Sequence, residues 1–271
     1  MGSRAVVAAC GLLLMSLSAC GGSEGDGHHR TKTGGAGGSL AAGRVPAPAG
    51  AGGPTGEASA PRAEPNVKTG EGSASTIEPW RIPGIGDRMY SRIPADSSQV
   101  VTVYGDDKDS PDSTIVLYTK QGSTWNEAGR WRGHNGRSGW TVDHWEGDLR
   151  SPVGVFTLSA AGGVLEDPGA RLPYDQNESY EAPEDWGMSH WRDFDYVIAI
   201  DYNRLPGTPP DDPTRPDGDE KGGGIWMHLD HGDGTSACIT LPESGMAHLL
   251  RTLDPNRHPM VVMGDRESLK E

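Results

Sequence analysis

The chain has 271 residues and a formal charge of −14, and its composition divides it sharply. All eight Trp, seven Tyr and two Phe fall from Trp80 onward, so the material for a packed core occupies fewer than 200 residues, the size of one domain. From Ile77 there are 33 acidic and 18 basic residues; such a surface repels phosphate backbones and excludes nucleic acid as a partner.

The first 19 residues read as an export signal: Arg4 gives a short positive region, an apolar run extends over 5–17, and small residues lead to Cys20. The run is too short to span a bilayer. Its last positions, Leu17-Ser18-Ala19-Cys20, resemble a bacterial lipobox, which implies a diacylglyceryl group on Cys20 and an anchor on the outer face of the cell membrane. An ordinary secretory signal is the alternative, and either one exports the chain. Residues 20–76 follow as a Gly, Ala and Pro-rich tether. Past the cysteine it carries only Leu40, Val45 and Val67 as large apolar residues, too few to fold, and its His28 and His29 read as a solvated pair.

Over 77–266 the sequence predicts one mostly β domain. Short β-branched or aromatic runs separated by Gly, Pro, Asp and Asn mark strands at 99–105, 113–120, 153–158, 196–202, 225–229 and 260–264. One amphipathic helix follows, with Met246, Leu249, Leu250 and Leu253 at i, i+3, i+4, i+7 spacing and Pro255 to stop it. Two long polar segments, 177–194 with Trp186 and Trp191 and 202–224 rich in Pro, Gly and Asp, either shape a cleft or are plain surface.

The chemistry concentrates in Ile225–Pro242. Period-two alternation puts Ile225, Met227 and Leu229 on one face and Trp226 and His228 on the other, so His228 is expected to point away from the core. If the following segment is also extended, Ile239 and Leu241 go inward and Cys238 and Thr240 share the His228 side, where a tight turn over Asp230–Gly234 could bring Cys238 back beside His228. Cys10 leaves with the signal and Cys20 is alkylated, which predicts a thiol rather than a cystine at Cys238. Such a thiol, with a pKa near 8.5, is only about 3% thiolate at pH 7, and an adjacent imidazole raises that fraction and then carries the proton. Backbone N–H groups of the Ser236–Ala237 turn are the candidate oxyanion donors. Two other readings compete: Cys238 as a small buried hydrophobe, and a metal bound by His228, Asp230, His231 and Cys238. The second is disfavoured because positions 228 and 231 would face opposite ways on one strand.

Several linked motifs are similar to those of the L,D-transpeptidase catalytic domain, in its secreted branch. They are "IWMH" leading to Thr235-Ser236-Ala237-Cys238, then "ITLP", the helix and "HPMVVMG"; upstream stand "EGDLRSPVGVFTL" and "IAIDYN", with "WRIPGIG" and "IPADSSQVVTV" at the boundary. The resemblance implies a β-sandwich-like fold, Cys238 as nucleophile, His228 as general base and acid, and no cofactor or metal. The substrate it implies is a peptidoglycan stem peptide, attacked at the L-centre of its third residue and joined to a neighbouring stem as a 3→3 crosslink. Hydrolysis of stem peptides at the same site, and an inactive wall-binding lipoprotein, are the alternatives. Two positions depart from the pattern. Ala237 stands where the family usually has Gly, a difficulty if the turn needs positive φ. Thr240 stands where Arg or Asn is common; Thr240 and Trp226 are the candidate substrate contacts. Asp230 and His231 match no family position and read as polar turn residues.

Overall fold

The computed structural model describes residues 80–271; the signal, Cys20, the whole linker and residues 77–79 lie outside them. In chain order the elements are helix α1 (Asp87–Tyr90) and strands β1 (Gln99–Gly105), β2 (Asp112–Gln121), β3 (Thr124–His134), β4 (Trp140–Thr141), β5 (Ser151–Pro152) and β6 (Gly154–Thr157). After them come β7 (Ala161–Gly163), β8 (Tyr174–Gln176), β9 (Val197–Ala199), β10 (Trp226–Leu229), β11 (Ile239–Leu241), helix α2 (Glu243–Thr252) and β12 (Met260–Asp265). The domain is mostly β, and every strand predicted from the sequence has a counterpart here.

Two five-stranded sheets organise it, in the orders β3-β2-β1-β12-β6 and β11-β10-β9-β7-β8, with β4 and β5 as a small parallel pair. Alternation in the first sheet serves two cores at once. Val101, Val103, Ile115, Leu117, Val261 and Met263 pack with Ile198, Met227, Ile239 and Leu241 of the second sheet, whereas Val100, Tyr104, Val116, Tyr118, Met260 and Val262 on the opposite face meet Ile82, Ile85, Met89 and Leu269. A sheet covered on both faces has no polar face to show, which is why the segments 99–105 and 260–264 read as nearly continuous apolar runs.

The longest strand, β3, escaped the sequence reading. Glu127, Arg130 and Arg132 interrupt its apolar pattern because most of the strand lies at the exposed edge of the first sheet. Its ladder with β2 and its ion pairs from Arg130 to Glu127 and from Arg132 to Asp106 hold it. The far end of β3 turns against β11 of the second sheet. A Cβ at Gly133 would come within 1.9 Å of the Thr240 carbonyl oxygen, so only glycine permits that approach. Helix α2 behaves as predicted, burying Met246, Leu249 and Leu250, with Leu253 buried at its C-cap.

Candidate functional site

The segment predicted to carry the chemistry folds differently from the expected hairpin. β10 and β11 are parallel neighbours, in the register Met227 to Ile239, His228 to Thr240 and Leu229 to Leu241. Parallel strands cannot be joined by a tight turn, since the chain must travel back before it pairs again. Residues 230–238 make that return by leaning on the segment after β3, where Thr235 bridges Gly136, donates its N–H to the Asn135 carbonyl and accepts from the Arg137 N–H. The change of direction keeps Thr240 directly opposite His228. Cys238 lies just before the paired register, where its Sγ accepts from the Trp226 N–H at 3.3 Å and stands 3.9 Å from the Gly224 carbonyl oxygen.

The face that carries His228 is not turned to solvent. His228 and Cys238 are fully buried and Trp226 nearly so, against the expectation that His228 points away from the core. The reason lies in the segment 177–194, which folds over the second sheet and buries Phe194 with its ring edge-on to His228 (centroids 4.9 Å apart) and to Trp226 (5.4 Å). Desolvation pushes the His228 pKa down to about 4, so the ring is neutral at pH 7. Nδ1 lies 2.9 Å from the Leu229 carbonyl oxygen. A neutral imidazole in that position donates from Nδ1 and keeps its lone pair on Nε2, and Nε2 has no hydrogen-bond partner. The orienting group of the histidine is thus a main-chain carbonyl, which no residue-type pattern could announce.

Cys238 is disulfide-bonded in the structure. Nucleophilic chemistry at Cys238 belongs to its reduced form. The turn before it is firmly held. Thr235 Oγ1 donates to the Cys238 carbonyl at 2.7 Å, and Ser151 Oγ donates to the Ala237 carbonyl at 2.6 Å while accepting from the Gly136 N–H. Ser236 is partly exposed, and no described residue accepts from the N–H of Ser236 or Ala237. Ala237 does not have positive φ, so alanine in place of glycine carries no backbone strain.

Thr240 and Trp226 have tasks other than the substrate contact expected of them. Thr240 is fully buried; its Oγ1 donates to Asp230 Oδ1 at 2.6 Å and accepts from the His134 N–H at 3.0 Å. The indole of Trp226 donates to the Pro210 carbonyl at 3.1 Å and meets Tyr180 and Phe194 edge-on, pinning the long segment 202–224. That segment is further tied by Asn203 to the Gly218 and Gly222 carbonyls and by the buried Arg204–Asp201 ion pair.

Asp230 and His231 are more than polar turn residues. Burial alone would raise the Asp230 carboxyl, but hydrogen bonds from Thr240 and His134 outweigh it and hold the group below its ordinary value. His231 stacks on His228, with ring centroids 6.2 Å apart and planes 20° from parallel. The alternation argument that separated positions 228 and 231 fails because the strand ends at Leu229. Residue 231 lies past the ladder, where period two no longer holds. The cation set of His228, Asp230, His231 and Cys238 is not assembled: the atoms of Asp230 and the Nδ1 of His228 face other partners.

No family model matches the chain, and no curated protein matches it. Among solved structures, that of Bdellovibrio bacteriovorus Bd1075 is similar at 14% identity with a TM-score of 0.34, over 61% of this chain and 47% of that one. The match spans about half the length of that protein.

Proposed function

We propose that the chain is a cysteine L,D-transpeptidase acting on peptidoglycan stem peptides, tethered to the outer face of the cell membrane through Cys20, with its two sheets forming the β-sandwich of that family. The observation that supports this most is His228 itself, on the strand beside the segment that carries Cys238, with Nδ1 held by the Leu229 carbonyl and Nε2 left open as a proton acceptor. In the reduced protein Nε2 takes the Sγ proton, and the thiolate attacks the carbonyl carbon of the third stem residue. The N–H groups of Ser236 and Ala237 face the resulting oxyanion. Collapse breaks the C–N bond, His228 returns the proton to the departing amine of D-Ala, and a thioester remains on Cys238. An amine of a second stem then attacks the thioester, gives up a proton to His228 Nε2, forms the new amide as the C–S bond breaks, and leaves the Cys238 thiolate beside the imidazolium.

The test is intact mass spectrometry of the reduced protein incubated with a carbapenem. A stable adduct that is lost in Cys238→Ser supports the reading, and its absence from the fully reduced protein overturns it. With a stem tetrapeptide as donor and a second stem as acceptor, a crosslinked product identifies transpeptidation, whereas D-Ala release with no crosslink identifies the hydrolase.

A further inference from the structure

Beside His228 lies a second cluster that the thiol chemistry does not use. His190 and Asp193 come from the segment that covers the second sheet, and His231 comes from just beyond β10. One turn presents the first two on the same side: the His190 N–H donates to the Gly187 carbonyl and the Asp193 N–H to the His190 carbonyl. The Leu229 N–H then donates to the Asp193 carbonyl at 3.0 Å, which fastens that turn to the end of β10 and brings His231 to it. One nitrogen or oxygen from each of the three side chains lies within 4.8 Å of the others.

The contacts inside this cluster are unequal. His190 Nδ1 is hydrogen-bonded to Asp193 Oδ2 at 2.9 Å. His231 Nδ1 lies 3.1 Å from the same oxygen, yet the direction of the approach does not make a hydrogen bond, and Nδ1 remains a buried nitrogen without a hydrogen-bond partner. The His231 and Asp193 side chains are 5% and 3% exposed, so no bulk water satisfies that nitrogen. The two imidazole rings are 4.5 Å apart, and both Nδ1 atoms converge on one carboxylate.

From this geometry we infer that His190, Asp193 and His231 form a binding site for a divalent transition metal ion of the zinc class. Two imidazole nitrogens and one carboxylate oxygen are a donor set of borderline softness, suited to zinc, cobalt or nickel and poorly suited to calcium or magnesium. Around a tetrahedral ion with bonds of about 2.0–2.1 Å, ligand atoms stand about 3.4 Å apart. The 2.9 and 3.1 Å separations from Asp193 open by a few tenths of an ångström to admit it, and the ligand atoms of the two histidines already lie within 4.8 Å of each other. A cavity lined by Ser189, Asp230 and Glu243 reaches Asp193 but neither histidine, and it is the side from which a fourth ligand would come. The site differs from the set suggested by the sequence in that only His231 is common to both, and no sulfur takes part. It stands independently of the reaction proposed for Cys238.

Cobalt is the probe, because its d–d absorption reports tetrahedral nitrogen and oxygen coordination and its near-ultraviolet charge-transfer band reports thiolate. The reduced full chain should bind one Co²⁺ with tetrahedral d–d bands and no thiolate band, and Zn²⁺ should displace it. His190→Gln, at a side chain 21% exposed and therefore tolerant of change, and His231→Ala should each weaken binding by about 100-fold or more. Cys238→Ser and a double His28→Ala, His29→Ala chain should bind as the parent does. Absence of Co²⁺ binding, a strong thiolate band, or an affinity unchanged by His190→Gln overturns the assignment and leaves the cluster an ion pair of Asp193 with its two histidines.

Discussion

The burial of His228 has a consequence for stability that can be worked through in numbers. The ring has an ordinary pKa of 6.5 and is pushed to about 4 in the folded chain, chiefly by desolvation. Above pH 7 it is neutral in both states and contributes no pH dependence. As pH falls through 6.5 the unfolded chain takes up a proton that the folded chain refuses until about pH 4, so stability is lost across that window. At about 1.36 kcal/mol per pH unit the loss approaches roughly 3 kcal/mol, a large part of the margin of a typical domain. His231 works in the opposite sense: the Asp193 carboxylate raises it, so its stabilising contribution is full below pH 6.5 and disappears as pH rises through the folded value. A difference measurement isolates the first effect. Urea unfolding of the reduced protein, followed from pH 7.5 to 4, should show a fall in stability with acid that His228→Gln reduces by about 3 kcal/mol, because glutamine has nothing to titrate. Parallel pH profiles for the parent and His228→Gln would refute the reasoning and mean that the folded ring is protonated well above pH 4.

Other outcomes follow from the same geometry. Cys238→Ser and His228→Ala should each abolish nearly all carbapenem acylation, and the double variant should be scarcely worse than either, since a nucleophile and its base lose their effect together. Ala237→Gly should not raise the acylation rate, because Ala237 has no positive φ to relieve; a melting experiment should show a loss of about 1 kcal/mol or less from the added backbone freedom. Thr240→Val removes the hydroxyl that joins Asp230 to the His134 N–H, and denaturant unfolding should report a cost of about 1–3 kcal/mol for the polar groups left behind. A Thr240→Val protein as stable as the parent would show that solvent reaches this junction.

Much of the architecture was legible in the chain because it depends on local periodicity. The strands at 99–105 and 260–264 and the stripe of Met246, Leu249 and Leu250 are written in residue order, and side-chain alternation placed Thr240 on the His228 side whichever way the second strand ran. β3 was hidden because an edge strand with charged outward residues owes its conformation to its neighbour β2 rather than to its own pattern. Strand direction is equally non-local. Whether 230–238 turns back at once or crosses over is decided by Thr235 pairing with Gly136, a contact between positions about a hundred residues apart.

The sequence by itself determined which groups are able to carry the proposed chemistry and which residues alternate along each strand, since both follow from residue type and a period of two. Only the tertiary structure decided their environment. Phe194 covers His228 and makes it a neutral ring, the Leu229 carbonyl fixes its tautomer, and Asp193 arrives from a distant turn to meet His190 and His231. Burial and the convergence of side chains depend on what the rest of the chain brings to a place, and no local pattern encodes that.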